Sequence, residues 1–130
     1  MRFSFVIAVC LLSLSVPAFA SPTGNDVLTS CQEAAAFADN NEGFVAKGFN
    51  IGWCAGWVQA AIELTGLNEA WREISTAKNS PTDFCTPEGV TPAQGIRIVV
   101  KYLRDHPEHL HEDGMALTVA SLSAAFPCKK

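Results

Sequence analysis

Positive charge is in short supply: nine Lys and Arg stand against thirteen Asp and Glu, a formal net charge of −4 with histidine neutral. That balance gives no electrostatic footprint for nucleic acid or for an anionic membrane. No Cys-x-x-Cys pair occurs, so the local signatures of a thioredoxin-type motif and of a zinc ribbon are both missing. No segment alternates apolar and polar residues convincingly enough to read as a strand. Nor is a nucleophile–base pair or an oxyanion-hole motif visible, which argues against an enzyme and against a cofactor.

The one long uncharged apolar run, Phe3 to Val16, is too short to span a bilayer and is closed by Pro17. Arg2 precedes it and Ala18-Phe19-Ala20 follows, in the small-x-small pattern of a cleavage site. Residues 1–20 therefore read as a secretory signal peptide cut after Ala20, with Cys10 discarded along with it. Residues 21–130 are then one helical domain, long enough for a single core. Without Arg2 the domain has eight basic residues against the same thirteen acidic ones, a balance that suits a basic protein partner.

Four cysteines remain: Cys31, Cys54, Cys85 and Cys128. An even number in a small exported domain reads as two disulfides.

Apolar periodicity predicts four helices. The first starts near Asn25-Asp26, with Asn25 as cap, and carries Leu28, Cys31, Ala35 and Ala38 on one stripe. The second centres on Ile51 to Leu64, where Trp53, Trp57, Ala61 and Leu64 form a face widened by Cys54, Val58 and Ile62. Its tryptophans read as core filling rather than a ligand platform. Gly52 and Gly56 each cost about 1 kcal/mol of helix propensity, which the close approach of a neighbouring backbone would offset. From Leu67 to Val90 the pattern weakens; Asn68 to Ser75 adds a helical turn or two at most. A connection of that length suggests a binding surface.

The third helix has the plainest start, Thr91-Pro92-Ala93-Gln94, an N-cap Thr with Pro at the first helical position. Ile96, Val99, Val100 and Leu103 form its stripe. The fourth begins near Glu112-Asp113, carries Met115, Val119, Leu122 and Phe126, and stops at Pro127.

Between these two helices lies DHPEHLHEDG, Asp105 to Gly114, which holds all three histidines of the chain. Pro107 ends the third helix at about Asp105, so the stretch reads as the turn of an antiparallel helical hairpin. The competing reading is a loop metal site on His106, His109 and His111, whose spacing lacks the helical register that makes histidine ligands converge. The hairpin brings Cys85 toward Cys128 and leaves Cys31 to face Cys54. Pairing Cys54 with Cys85 and Cys31 with Cys128 stays open.

FCTPEGVTPAQGIRIVVKYLRDHPEHLH, followed by an Ala/Leu-rich helix ending AFPC, resembles the Rap/Tai immunity-protein family. CAGWVQA around Cys54 is similar to that family's Cys-x-Gly-aromatic segment. The resemblance runs from about Asn25 to Cys128 and does not cover Leu67 to Asp83. It implies a small, periplasmic, all-α, four-helix antiparallel domain with two disulfides. It also implies a function: binding and blocking a peptidoglycan amidase effector of type VI secretion, with a homodimer as one form. The contact residues would lie in variable segments, and Trp71, Glu73, Asp83 and Glu88 are the candidates, an aromatic among carboxylates. The rival function is a periplasmic chaperone-like or stress protein that binds unfolded clients.

Overall fold

The computed structural model describes residues 20–40, 44–74 and 84–128, with side chains in the second helix from 47 to 64. The stretch read above as a signal peptide lies, up to Phe19, outside them. Four α-helices follow one another among the described residues: α1 (Gly24–Asn40), α2 (Phe44–Ile74), α3 (Pro92–Asp105) and α4 (Gly114–Ala125). One turn of 3₁₀ helix, Pro107–His109, separates the last two. No helix among the described residues is long and apolar enough to cross a membrane.

Local chemistry sets each start. Thr91 Oγ1 accepts the Gln94 amide at 3.2 Å, as its sequence foretold. Asp113 caps α4 by accepting the Ala116 amide at 2.9 Å. The cap of α1 is Thr23, not Asn25. Its amide and its hydroxyl both donate to Asp26 Oδ2, each at 2.8 Å, so the acid at the third helical position reaches back over the first turn. Asn25 is freed for another task and donates its side-chain amide to the Leu110 carbonyl at 3.0 Å.

The second helix is 31 residues long and runs without a break to Ile74. The loop expected from Leu67 is thus mostly helix up to that point. Glu69, Ala70, Arg72 and Glu73 are strong helix formers with no proline among them, and intrinsic propensity carries the helix where the apolar stripe fades. The core face of α2 is also rotated from the expected one. Ile51, Cys54, Val58 and Ala61 are its buried residues, while Trp53 and Trp57 are half-buried on the flank. The indole N–H explains the offset: Trp57 Nε1 donates to Thr118 Oγ1 on α4 at 2.9 Å, which holds the ring at the rim of the core. Trp53 stacks on it with centroids 4.8 Å apart.

Helix α1 packs against all three others and contributes Val27, Cys31 and Ala34 to the core, opposite Val99 and Leu103 of α3 and Leu122 of α4. The disulfides pair Cys31 with Cys54 and Cys85 with Cys128, at Cα separations of 5.1 and 4.9 Å. The first ties α1 to α2 inside the core, with both cysteines fully buried. The second closes the open end of the α3–α4 hairpin, where the Cys85 amide also donates to the Phe126 carbonyl at 2.9 Å. On loop entropy each contributes about 3–4 kcal/mol.

Close backbone approach occurs at glycines other than the expected pair. A Cβ at Gly52 or Gly56 would meet nothing within 4 Å. One at Gly114 would lie 2.7 Å from Val27 Cγ2 and 2.8 Å from the Pro22 carbonyl oxygen, and one at Gly24 would lie 2.5 Å from Leu117 Cδ1. These two glycines open α1 and α4, and they let the two helix starts touch.

Gly114→Ala should therefore destabilise the domain by about 1–3 kcal/mol through forced displacement of backbone. Gly56→Ala should stabilise it by about 0.5–1 kcal/mol. Urea denaturation of both variants checks the opposite signs. Titration with a mild thiol reductant, followed by alkylation and mass spectrometry, should label Cys85 and Cys128 well before Cys31 and Cys54, because Cys85 is exposed.

Candidate functional site

The histidine stretch turns out to be a structural clasp. The α3 helix ends at Asp105, where Lys101 pairs with the carboxylate at 2.5 Å. His106 stacks on Tyr102, centroids 4.2 Å apart, and its Nδ1 lies 2.8 Å from the Tyr102 carbonyl, one of the last unsatisfied carbonyls of the helix. The residues just after the 3₁₀ turn then present their carbonyls to α1. The Gly24 amide donates to Glu112 O at 3.0 Å and the Asn25 amide to Leu110 O at 2.9 Å. In return, the Gly114 amide donates to Pro22 O at 2.8 Å. Helix-start amides that have no partner within their own helix are satisfied across the contact.

His109 sits on the outside of this clasp. Its Nδ1 lies 2.7 Å from Glu112 Oε1 and its Nε2 lies 3.7 Å from Glu108 Oε1. The hydrogen bond to Glu112 is the main reason its pKa is raised above the ordinary imidazole value, with the charges of Glu112 and Glu108 adding to it. Asp26 is shifted the other way, below the ordinary carboxylate value, first by the Thr23 amide and then by the Thr23 hydroxyl. Among the described residues no three His, Cys, Asp or Glu side chains converge as metal ligands. His111 is exposed and has no part in the His109 pairing.

The four candidate contact residues are not assembled into a described site. Trp71 and Glu73 fall in the last turns of α2, with side chains outside those described, and Asp83 lies outside the described residues altogether. Glu88 is exposed in the turn leading to α3, next to Gly89, whose φ of +83° suits glycine.

Two surface grooves went unnoticed in the sequence. Between α1 and α3, a groove of about 400 Å³ is lined by charges of both signs, including the Arg97–Asp39 pair at 2.5 Å. Between α2 and α4, one of about 430 Å³ is lined by Leu64, Met115, Ala116, Val119, Ala120 and Ser123, with Asp113 at its edge. The sequence signal for the second was the absence of any charge in α4. Phe49, 82% exposed, was also missed.

The described residues thus offer grooves and exposed side chains as surfaces. The model of the Rap1a immunity proteins matches residues 23–128, which is the span from the α1 cap to the second disulfide. The chain belongs to the Rap1a immunity proteins. It is accordingly not an enzyme, and an immunity protein acts by binding a cognate toxin effector. No curated protein matches the chain. In this Rap1a-family chain the match runs through the clasp itself, from Thr23 to the turn that receives Gly24 and Asn25.

The His109 shift carries a pH dependence. A raised pKa in the folded state stabilises the fold fully below the ordinary imidazole value, and the contribution is lost as pH rises through the raised one. Thermal stability should thus fall as pH rises past the ordinary imidazole value, and His109→Gln should flatten that slope. Asp26 works in the opposite direction, its contribution present above the ordinary carboxylate value and lost as pH falls. Thermal unfolding followed by circular dichroism across the range separates the two.

Proposed function

We propose that this protein is exported to the periplasm with its signal peptide removed after Ala20, and that it there binds and blocks a peptidoglycan amidase effector delivered by type VI secretion. The observation that carries the reading is the family match over residues 23–128, on a helical domain stapled by two disulfides. Disulfides persist in oxidising compartments, and the basic, apolar and small-residue order of residues 1–20 supports the route there. A binding role also agrees with the two grooves on the described surface.

The contact residues in this reading are Trp71, Glu73, Asp83 and Glu88, of which Glu88 is exposed in the turn before α3. An aromatic anchor with carboxylates near it would suit a basic cleft rim on the amidase.

Co-expression in the periplasm with a cysteine-type peptidoglycan amidase tests the proposal. The expected result is a stable complex on gel filtration, loss of peptidoglycan hydrolysis and rescue of the host from lysis. Without residues 1–20 the same chain should give no rescue. Continued hydrolysis and lysis with every such amidase, despite a folded and exported partner, would overturn it.

A further inference from the structure

The outer side of α4 is the surface that the fold explains least. The helix carries no charged residue between Gly114 and Ala125, and a helix that is apolar all round is ordinarily buried all round. Here burial is uneven: Leu117, Thr118, Val119, Ser121 and Leu122 are buried, whereas Met115, Ala120 and Ser123 are half-buried and Ala116, Ala124 and Ala125 are exposed. The apolar groove against Leu64 of α2 lies along this side. Ser123 lines it, and the Ser123 hydroxyl is shielded from solvent with no hydrogen-bond partner among the described residues. Orphaned hydroxyls of this kind are uncommon in folded proteins.

Charge decides what the groove can take. Asp113 stands at its edge with Oδ1 engaged by the Ala116 amide. Glu112, the preceding residue, is exposed, and no basic side chain is among the described residues lining the groove. The chain as a whole carries a net charge of −4. An acidic occupant would meet like charge at one end and no cation among the described lining residues.

We propose that the α2–α4 groove seats an amphipathic helix of a protein partner, its apolar face over Ala116, Val119 and Ala120 and a Lys or Arg against Asp113. Alanines on the α4 side allow the two helix axes to approach to about 8 Å, the close end of helix packing. The proposal rests on the reading that this protein works by binding, and it is independent of which enzyme is bound.

The test uses the disulfide-bonded protein and two fluorescent synthetic helical peptides that share one leucine stripe. They differ only in the polar face, lysine in one and glutamate in the other. Fluorescence anisotropy should show binding of the lysine peptide and not of the glutamate peptide. Ala120→Arg, which fills the groove with a like charge to the peptide, should weaken binding by about tenfold or more. Asp113→Asn keeps a good cap while removing the charge, and should weaken it several-fold. Asp39→Asn, on the other groove, should leave it unchanged, with circular dichroism confirming that each variant is folded. Equal weakening by Asp39→Asn, or indifference to Ala120→Arg, would sink the assignment. So would sedimentation showing that the protein alone self-associates and that Ala120→Arg makes it monomeric, because the occupant would then be a second copy. Failure of amidase inhibition would remove the enzyme identity while leaving these titrations as they stand.

Discussion

Two helix starts meet in this molecule, and the rest of the domain is arranged around that meeting. The first amides of α1 and of α4 each lack a partner in their own helix, and each also carries the positive end of a helix dipole. Bringing two such ends together is unfavourable unless carbonyls and anions are supplied. The carbonyls come from Leu110, Glu112 and Pro22, and the anions from Asp26 and Asp113, each bonded within the first turn of its helix. Glu108 and Glu112 add to the same field from the turn. The acidic, histidine-rich composition of DHPEHLHEDG is thus what an antiparallel hairpin needs when a third helix docks its N-terminus on the turn. Gly24 and Gly114 have no side chain because Leu117 and the Leu110 backbone crowd the first, and Val27 and the Pro22 carbonyl the second.

Much of this architecture was legible in the linear pattern. Thr91-Pro92 announced α3, Pro107 announced its end, and the hairpin so defined put Cys85 beside Cys128. Those signals are local, and each rests on a steric or hydrogen-bonding rule that acts within a few residues. What escaped was long-range. Thr23 rather than Asn25 caps α1 because Asn25 is claimed by Leu110, 85 positions away. Gly52 and Gly56 invited an explanation by packing, yet the crowded glycines are those whose neighbours come from elsewhere in the chain. The rotation of the α2 core face follows from one bond, Trp57 to Thr118, which periodicity counts as apolar and the structure treats as polar.

The candidate site was less legible for a related reason. Contact residues of a binding protein obey the partner's chemistry, and the chain alone records only its own. Apolar patterning finds what is buried in the fold. It cannot tell an alanine that packs in the core from one on a surface, and the alanines of α4 were left out of its stripe of Met115, Val119, Leu122 and Phe126. The histidine stretch was the more legible part: read as the turn of a helical hairpin, it is one, and its composition serves the backbone.

The order of the disulfides has a consequence for how the molecule comes into being. Cys31 pairs with Cys54 and Cys85 with Cys128, so neither bond encloses or crosses the other along the chain. A polypeptide that enters an oxidising space N-terminus first, and joins each cysteine to the next arrival, makes the native bonds directly. The α1–α2 hairpin can be locked before α3 has emerged, and no reshuffling by thiol–disulfide exchange is needed to correct it.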